Sequence, residues 1–271
     1  MPELPEVETV CRGLSAALTG RCLVRVEVRR PDLRWPIPAD FAARLTGARV
    51  IAVRRRAKYG LIDTDRGDVA ILHLGMSGRI RIDPVADEKH DHVLIEIDSG
   101  QRLAFNDARR FGSLHLARHD DWGRHALLAD LGPEPLGNTF NGPALHAALA
   151  GRRSPVKAAL LDQAVVAGVG NIYACEALFQ AGIDPSRAAC SLTPAESDAL
   201  AAAVVDVLAR AIAAGGSSLR DYVQVDGELG YFQHAWRVYG REGDPCPQCA
   251  RPVMRRVQSS RSTFYCGSCQ T

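Results

Sequence analysis

Cys246-Pro247-Gln248-Cys249 is followed, after sixteen intervening residues, by Cys266-Gly267-Ser268-Cys269, and no other feature of the chain restricts its fold as much. Each C-x-x-C pair can bring two thiolates to one ion at ~2.3 Å, and two pairs close a tetrahedron. Four thiolates leave no position for a catalytic water, so the expected ion is one structural Zn2+. Between the pairs, Val253, Arg255 and Val257 alternate with their neighbours, Ser259-Ser260 can turn, and Thr263-Phe264-Tyr265 returns, which predicts a β-hairpin pinned at its base. The other four cysteines, Cys11, Cys22, Cys175 and Cys190, are scattered singly. The start, Met1-Pro2-Glu3-Leu4-Pro5-Glu6, is acidic and proline-rich, unlike a secretion signal, so a reducing cytoplasm is the expected compartment. There, paired cysteines hold metal rather than disulfides. The most apolar helical stretch, around Leu200 to Ala214, is interrupted by Asp206 and Arg210, so no membrane partner is expected.

The remaining sequence changes texture twice. Val7, Val10, Cys11, Leu14 and Leu18 follow helical spacing, with Pro5 in the first turn, Glu6 and Glu8 at the positive dipole end and Gly20 to stop it. Leu4, before a proline, is pushed towards an extended conformation, so residues 1–4 read as a stiff, exposed lead-in. From Leu23 to about Leu116 short Val/Ile/Leu runs such as Leu23–Val28, Val69–Leu74, Val93–Ile97 and Ser113–Leu116 alternate with turns, an antiparallel sheet or sandwich. Pro and Gly crowd residues 130–137, and the chain beyond is helical: Ser154-Pro155 and the capping box Thr193-Pro194-Ala195-Glu196 start helices, and another begins at Asn171. The class is α+β, with expected domains 1–133, 134–240 and 241–271. There is no internal repeat.

The 33 Lys and Arg against 31 Asp and Glu give a net charge of +2, which excludes a uniformly basic nucleic-acid coat. The charge is localised instead. Residues 241–271 hold five arginines against two acids, and Arg49, Arg54, Arg55, Arg56 and Lys58 form a second cluster without an intervening acid. Two such clusters would make a phosphate-facing stripe and together favour nucleic acid, although a charge run taken alone can also be a solvated face.

Pro2 is small enough that removal of Met1 is expected, which would leave a prolyl secondary amine at the terminus. An α-amino group with a pKa of about 7.7–8.0 is unprotonated far more often at neutral pH than a lysine near 10.4. Condensed with a sugar aldehyde carbon, it gives a charged iminium, an electron sink for elimination. Glu3 and Glu6 are carboxylates within reach for proton transfer. The same residues are equally a plain lead-in to a helix.

Pro2-Glu3-Leu4-Pro5-Glu6-Val7-Glu8-Thr9, Arg55-Arg56-Ala57-Lys58-Tyr59, His73-Leu74-Gly75-Met76-Ser77-Gly78, Lys89-His90-Asp91-His92, Arg109-Arg110-Phe111-Gly112, Gly168-Val169-Gly170-Asn171-Ile172-Tyr173 and the four-cysteine ribbon together resemble the bacterial formamidopyrimidine-DNA glycosylase family (Fpg/MutM type). The motifs occur in the family's order and span positions 2 to 269. The resemblance implies an N-terminal β-sandwich with flanking helices, a helical helix–two-turn–helix module and a C-terminal zinc β-hairpin, with double-stranded DNA between the domains. It implies a monomeric, nucleoid-associated enzyme of base excision repair that flips oxidised purines out of the stack and needs no organic cofactor. On this resemblance Pro2 attacks C1′, Glu3 manages protons at the deoxyribose, Lys58 assists β-elimination and Arg261 δ-elimination, both also serving as phosphate ligands. Met76, Arg109 and Phe111 match the trio that fills the void left by the flipped base. His73, His90, Arg153, Lys157 and Asn171 correspond to DNA-contact positions, and the choice among lesions depends on the loop near residues 224–232.

Three positions depart from the pattern: Ala108 replaces a proline before the two arginines, Gly60 an aliphatic, and Arg153 a lysine. Ala108 puts the rigidity of the Arg109–Phe111 loop in doubt. Competing readings are an endonuclease VIII-type enzyme for oxidised pyrimidines, against which the Met76/Arg109/Phe111 set argues, an N-terminal-proline tautomerase, which would be shorter and lack the ribbon, and a zinc-ribbon module that binds damage without cutting. His90 and His92 have no third ligand nearby in sequence to make a metal site.

Overall fold

A computed structural model of the chain describes residues 2–217 and 230–271. The chain divides into two compact units, residues 1–129 with 214–233, and residues 130–213 with 234–271.

In the first unit α1 (Leu4–Leu18) precedes β1 (Leu23–Val28), the short α2 (Phe41–Leu45), β2 (Val50–Arg56), β3 (Tyr59–Thr64), β4 (Asp68–His73), β5 (Arg79–Ile82), β6 (Asp91–Ile97), β7 (Arg102–Asn106) and β8 (Ser113–Arg118). The strands form two four-stranded antiparallel sheets, ordered β1-β6-β7-β5 and β2-β3-β4-β8. Leu23, Val26, Val93, Leu103 and Phe105 of one sheet and Val50, Ala70, Leu72 and Leu114 of the other share one buried core, capped by Val7, Val10, Leu14 and Leu18 of α1 and by Phe41 and Leu45 of α2. Of the two arrangements open from the sequence, the sandwich is the one adopted. The apolar stripe of α1 is thereby buried against strands, which fixes where the chain's first residues lie.

The lead-in is not exposed. Pro2, Glu3 and Leu4 are buried, and Glu3 and Glu6 form a capping box in which Glu6 Oε2 accepts the Glu3 N–H at 2.8 Å. The basic cluster at 49–58 also differs from expectation. Arg54 makes a fork to Asp63 at 2.6 and 2.7 Å, Arg55 reaches Glu8 at 2.8 Å, and Arg49 lies 3.9 Å from Asp98. Strand pairing brings Arg54 beside Leu61 and so within reach of Asp63, which turns a charge run in the sequence into internal ion pairs.

The second unit contains α3 (Gly142–Leu149), α4 (Val156–Leu161), α5 (Asn171–Ala181), α6 (Pro194–Ala213), and the hairpin of β9 (Met254–Gln258) and β10 (Arg261–Tyr265). The capping box at Thr193 is complete: Glu196 N–H donates to Thr193 Oγ1 at 3.2 Å and Thr193 N–H to Glu196 Oε2 at 2.8 Å. Gly182, in the left-handed region, ends α5. Glu176 of α5 is buried and accepts the N–H groups of Arg237, Val238 and Tyr239 at 2.9, 3.0 and 2.8 Å, anchoring the chain that leads into the hairpin. Burial pushes its carboxyl pKa up, against the pull of those three donors.

Six non-glycine residues among those described have left-handed backbone: Ala57, Asp83, Arg110, Ala250, Ser259 and Ser260. No described helix is long and apolar enough to cross a membrane.

Candidate functional site

The four cysteines converge. Their Sγ atoms all lie within 4.8 Å of one another, with Cys246 to Cys269 at 3.9 Å and Cys249 to Cys266 at 3.5 Å. Four sulfurs at ~2.3 Å from one ion would stand ~3.8 Å apart, so the set fits a tetrahedral Zn2+ without rearrangement. Cys246 and Cys266 join Cys175, Phe179, Val238 and Val253 in a buried cluster, so the metal centre forms part of a small core. The hairpin turns at Ser259-Ser260, both with positive φ, and Arg261 follows at its tip. Of the five arginines in residues 241–271, Arg241, Arg255 and Arg256 pair with Asp244, Glu242 and Asp184, and Arg251 donates to Ser268. Arg261 is exposed, with no side-chain partner among the described residues.

Elsewhere in the second unit Arg153 is exposed, while Lys157 is 1% exposed and its ammonium donates to Thr263 Oγ1 at 2.7 Å and the Ser262 carbonyl at 3.1 Å. Lys157, expected from the sequence at the DNA, ties α4 to the zinc hairpin through these two bonds. Asn171, in the first turn of α5, donates to the same Ser262 carbonyl at 2.9 Å.

In the first unit, Pro2 and Glu3 stand at the N-terminal end of α1. Glu6 was a candidate for proton transfer, yet both its oxygens are engaged: Oε2 by Glu3 N–H and Oε1 by Ser217 N–H at 2.8 Å. It holds the chain start and residue 217 together. Lys58 is buried at the tip of the β2–β3 hairpin, next to Ala57 at φ +52. This hairpin packs on α1 through the Arg55–Glu8 pair and through Gly60, where an added Cβ would lie 3.2 Å from Cys11 Sγ. His73, at the end of β4, has its ring centroid 4.9 Å from that of Tyr59, and its Nδ1 accepts the Gly75 N–H at 3.1 Å. Burial first, then the Lys58 and Arg34 cations, bring its pKa down to about 4. The imidazole is therefore neutral at pH 7 and keeps its proton on Nε2, a donor without a charge.

Met76 and Phe111 are 38% and 42% exposed, and the Arg109 guanidinium lies 4.8 Å from the Phe111 ring centroid. The two loops that carry them touch through backbone. Gly75 has φ +64, and a Cβ there would lie 2.2 Å from the Phe111 carbonyl carbon. His90 and Lys89 line a polar recess of the same unit with Arg29, Arg30 and Arg110. His92 does not face a metal: its Nε2 meets the Asp107 carbonyl oxygen at 2.8 Å. Sequence reasoning missed Asp107, Ser77 and Arg34, none of which belongs to a charge run or a periodic pattern. Of the loop near residues 224–232, residues 224–229 lie outside the described residues.

Three family models match: the formamidopyrimidine-DNA glycosylase N-terminal domain over residues 1–114, the formamidopyrimidine-DNA glycosylase H2TH domain over 131–223, and a zinc finger found in FPG and IleRS over 243–271. Curated proteins named formamidopyrimidine-DNA glycosylase from Cereibacter sphaeroides and Paracoccus denitrificans are 56% and 58% identical, each comparison covering 100% of both chains. The crystal structure of the MutM (Fpg) protein of Thermus thermophilus is 44% identical, with a TM-score of 0.90 over 99% of this chain and 98% of that one. The Lactococcus lactis Fpg in complex with DNA containing an abasic site is 31% identical, with a TM-score of 0.91 over 99% of each chain.

Proposed function

Because the chain belongs to the formamidopyrimidine-DNA glycosylase family, we propose that it is a DNA glycosylase and abasic-site lyase of base excision repair, acting on oxidised purines such as 8-oxoguanine and formamidopyrimidines in double-stranded DNA. The observation that carries the mechanism is the start of α1, where a buried Pro2-Glu3 is fixed by Glu6. Once Met1 is removed, Pro2 offers a secondary amine whose carbon skeleton is held by the helix.

Its nitrogen lone pair forms a bond to C1′ of the flipped nucleotide as the glycosidic bond breaks, and the base leaves with that electron pair and is then protonated. The amine loses its proton, Glu3 passes a proton to the ring oxygen as the sugar opens, and an iminium forms at C1′. Loss of a C2′ proton then expels the 3′ phosphate, and a second elimination expels the 5′ phosphate. Lys58 and Arg261 are proposed to hold those phosphates, which contributes more than proton transfer does. Arg261 suits this because its guanidinium has no side-chain partner among the described residues.

His73 is proposed to donate Nε2–H to a phosphate oxygen, and His90, Arg153 and Asn171 to contact the DNA backbone. Met76 and Phe111 wedge into the void while Arg109 meets the orphaned base. Lys157 is assigned to holding the hairpin. The four cysteines hold one Zn2+, which supplies no reaction chemistry and rigidifies the hairpin that presents Arg261. The protein is proposed to act as a monomer in the cytoplasm, on the nucleoid.

Borohydride trapping on a duplex with one 8-oxoguanine opposite cytosine, alongside intact mass, tests the reading. A covalent protein–DNA band that maps to Pro2 is expected. Protein that lacks Met1 and gives no band would refute the assignment of the amine.

A further inference from the structure

Asp107 is fully buried, and its polar atoms serve the segments that carry the three void-filling side chains and their neighbouring histidines. Oδ1 accepts from Ser77 Oγ at 2.6 Å and from Arg109 N–H at 3.3 Å, and Oδ2 accepts from Gly112 N–H at 2.7 Å. Its carbonyl oxygen meets His92 Nε2 at 2.8 Å, and its N–H donates to the His90 carbonyl at 3.0 Å. Ser77 directly follows Met76, and Gly112 directly follows Phe111. One carboxylate therefore fixes the Met76 loop on one side and the Arg109–Phe111 loop at both ends.

Burying a carboxylate with no ion pair among the described residues is costly. The arrangement also accounts for Ala108. A proline at that position would stiffen the loop covalently; here Asp107 closes it by hydrogen bonds, with Arg110 held at φ +57 inside the ring so formed. The two loops also pack closely, because Gly75 lies against the Phe111 and Gly112 backbone.

The geometry points to Asp107 as the positioning residue of the wedge. It holds Met76, Arg109 and Phe111 in one register, so that the apolar pair enters the stack in the same movement that brings the guanidinium to the orphaned base. This rests on the function proposed above, and it names a determinant of opposite-base selectivity that does not itself touch DNA.

The test is single-turnover excision of 8-oxoguanine opposite cytosine and opposite adenine, by the full chain and by Asp107→Asn and Ser77→Ala. Borohydride trapping on an abasic site in single-stranded DNA, which needs no wedge, is measured alongside with thermal unfolding. Asp107→Asn turns an amide donor towards donors already in place, and duplex excision should fall by about tenfold to a hundredfold, the effect of a displacement on the order of 1 Å. The cytosine-to-adenine rate ratio should shrink towards one, while single-strand trapping stays within about twofold of wild type. Ser77→Ala removes the bond to Asp107 and the one that Ser77 Oγ accepts from Arg109 N–H at 3.2 Å, and leaves the carboxylate, so it should show the same pattern at about fivefold; it carries the test if Asp107→Asn does not fold. Equal losses on duplex and single strand, an unchanged cytosine-to-adenine ratio, or full duplex activity in Ser77→Ala would overturn the inference. A wild-type chain lacking Met1 and inactive on every substrate would instead overturn the glycosylase reading beneath it.

Discussion

Protonating His73 should destabilise the first unit by about 3 kcal/mol at pH 4. Its side chain is enclosed between Tyr59 and the Gly75 turn, and burial, followed by the nearby Lys58 and Arg34, lowers its pKa from 6.5 to about 4. In the unfolded chain the imidazole titrates near 6.5. Between those values the unfolded state binds a proton that the folded state refuses, so stability is complete above pH 6.5 and declines as pH falls towards 4. The linkage integral gives about 2 kcal/mol at pH 5 and about 3 kcal/mol at pH 4. His115, also lowered to about 4 by burial and by His125, adds a parallel loss of its own. Urea unfolding of His115→Gln and of the His73→Gln/His115→Gln double variant from pH 7.5 to 4 isolates His73, because His115 acts on it electrostatically. The difference between the curves should grow by about 2 kcal/mol from pH 7.5 to pH 5. Parallel curves, or a His73 ring resonance that titrates above pH 6, would refute the argument.

Gly75→Ala places a Cβ 2.2 Å from the Phe111 carbonyl carbon at φ +64, so it should lower the melting temperature by at least about 4 °C and duplex excision by at least about tenfold. A variant that melts and cuts like wild type would contradict the backbone contact. Complete zinc removal should abolish DNA binding while the sandwich keeps its circular dichroism and cooperative unfolding; binding retained by a metal-free sample would show that the hairpin does not need its ion. Lys157→Ala should weaken binding but leave the slope of log K against log salt unchanged, because the ammonium is already engaged by Ser262 and Thr263. A slope smaller by about one would return Lys157 to the phosphates.

The parts legible in the sequence are those whose physics is local. The knuckle spacing, the apolar stripe of α1 and the Thr193 capping box each depend on residues within a few positions of one another, and each is found where periodicity and spacing put it. The strand runs Leu23–Val28 and Val93–Ile97 were equally plain, since alternation and β-branching are local too. What escaped depends on partners far along the chain. Arg55 is neutralised by Glu8, 47 positions away, and Lys157 is satisfied 105 and 106 positions away, so neither could be recognised as internal before folding. The lead-in read as exposed for the same reason: Glu6 finds Ser217 only in three dimensions. Asp107 belongs to none of the motifs quoted from the sequence, and only the convergence of Ser77, Arg109 and Gly112 on it reveals what it holds.

The left-handed non-glycine residues have a bearing on how such a protein could be made to tolerate heat. Five of the six lie within two residues of a zinc ligand or a proposed DNA-contact residue: Ala57 beside Lys58, Arg110 between Arg109 and Phe111, Ala250 beside Cys249, and Ser259 and Ser260 before Arg261. Each holds roughly 1–2 kcal/mol of backbone strain that glycine or asparagine would release. Releasing it there would trade a defined loop for a looser one at the metal site or at a proposed DNA contact. Asp83 is the exception. Its carboxylate accepts from Arg102 N–H and Gln101 Nε2 on the sheet, seven positions from Met76 and from His90, the proposed contacts nearest to it in sequence. Asp83→Asn keeps one acceptor oxygen for the Arg102 N–H, the Gln101 amide can turn its own oxygen to the new NH2, and the residue suits the backbone, which makes this turn the natural first site for thermostabilisation.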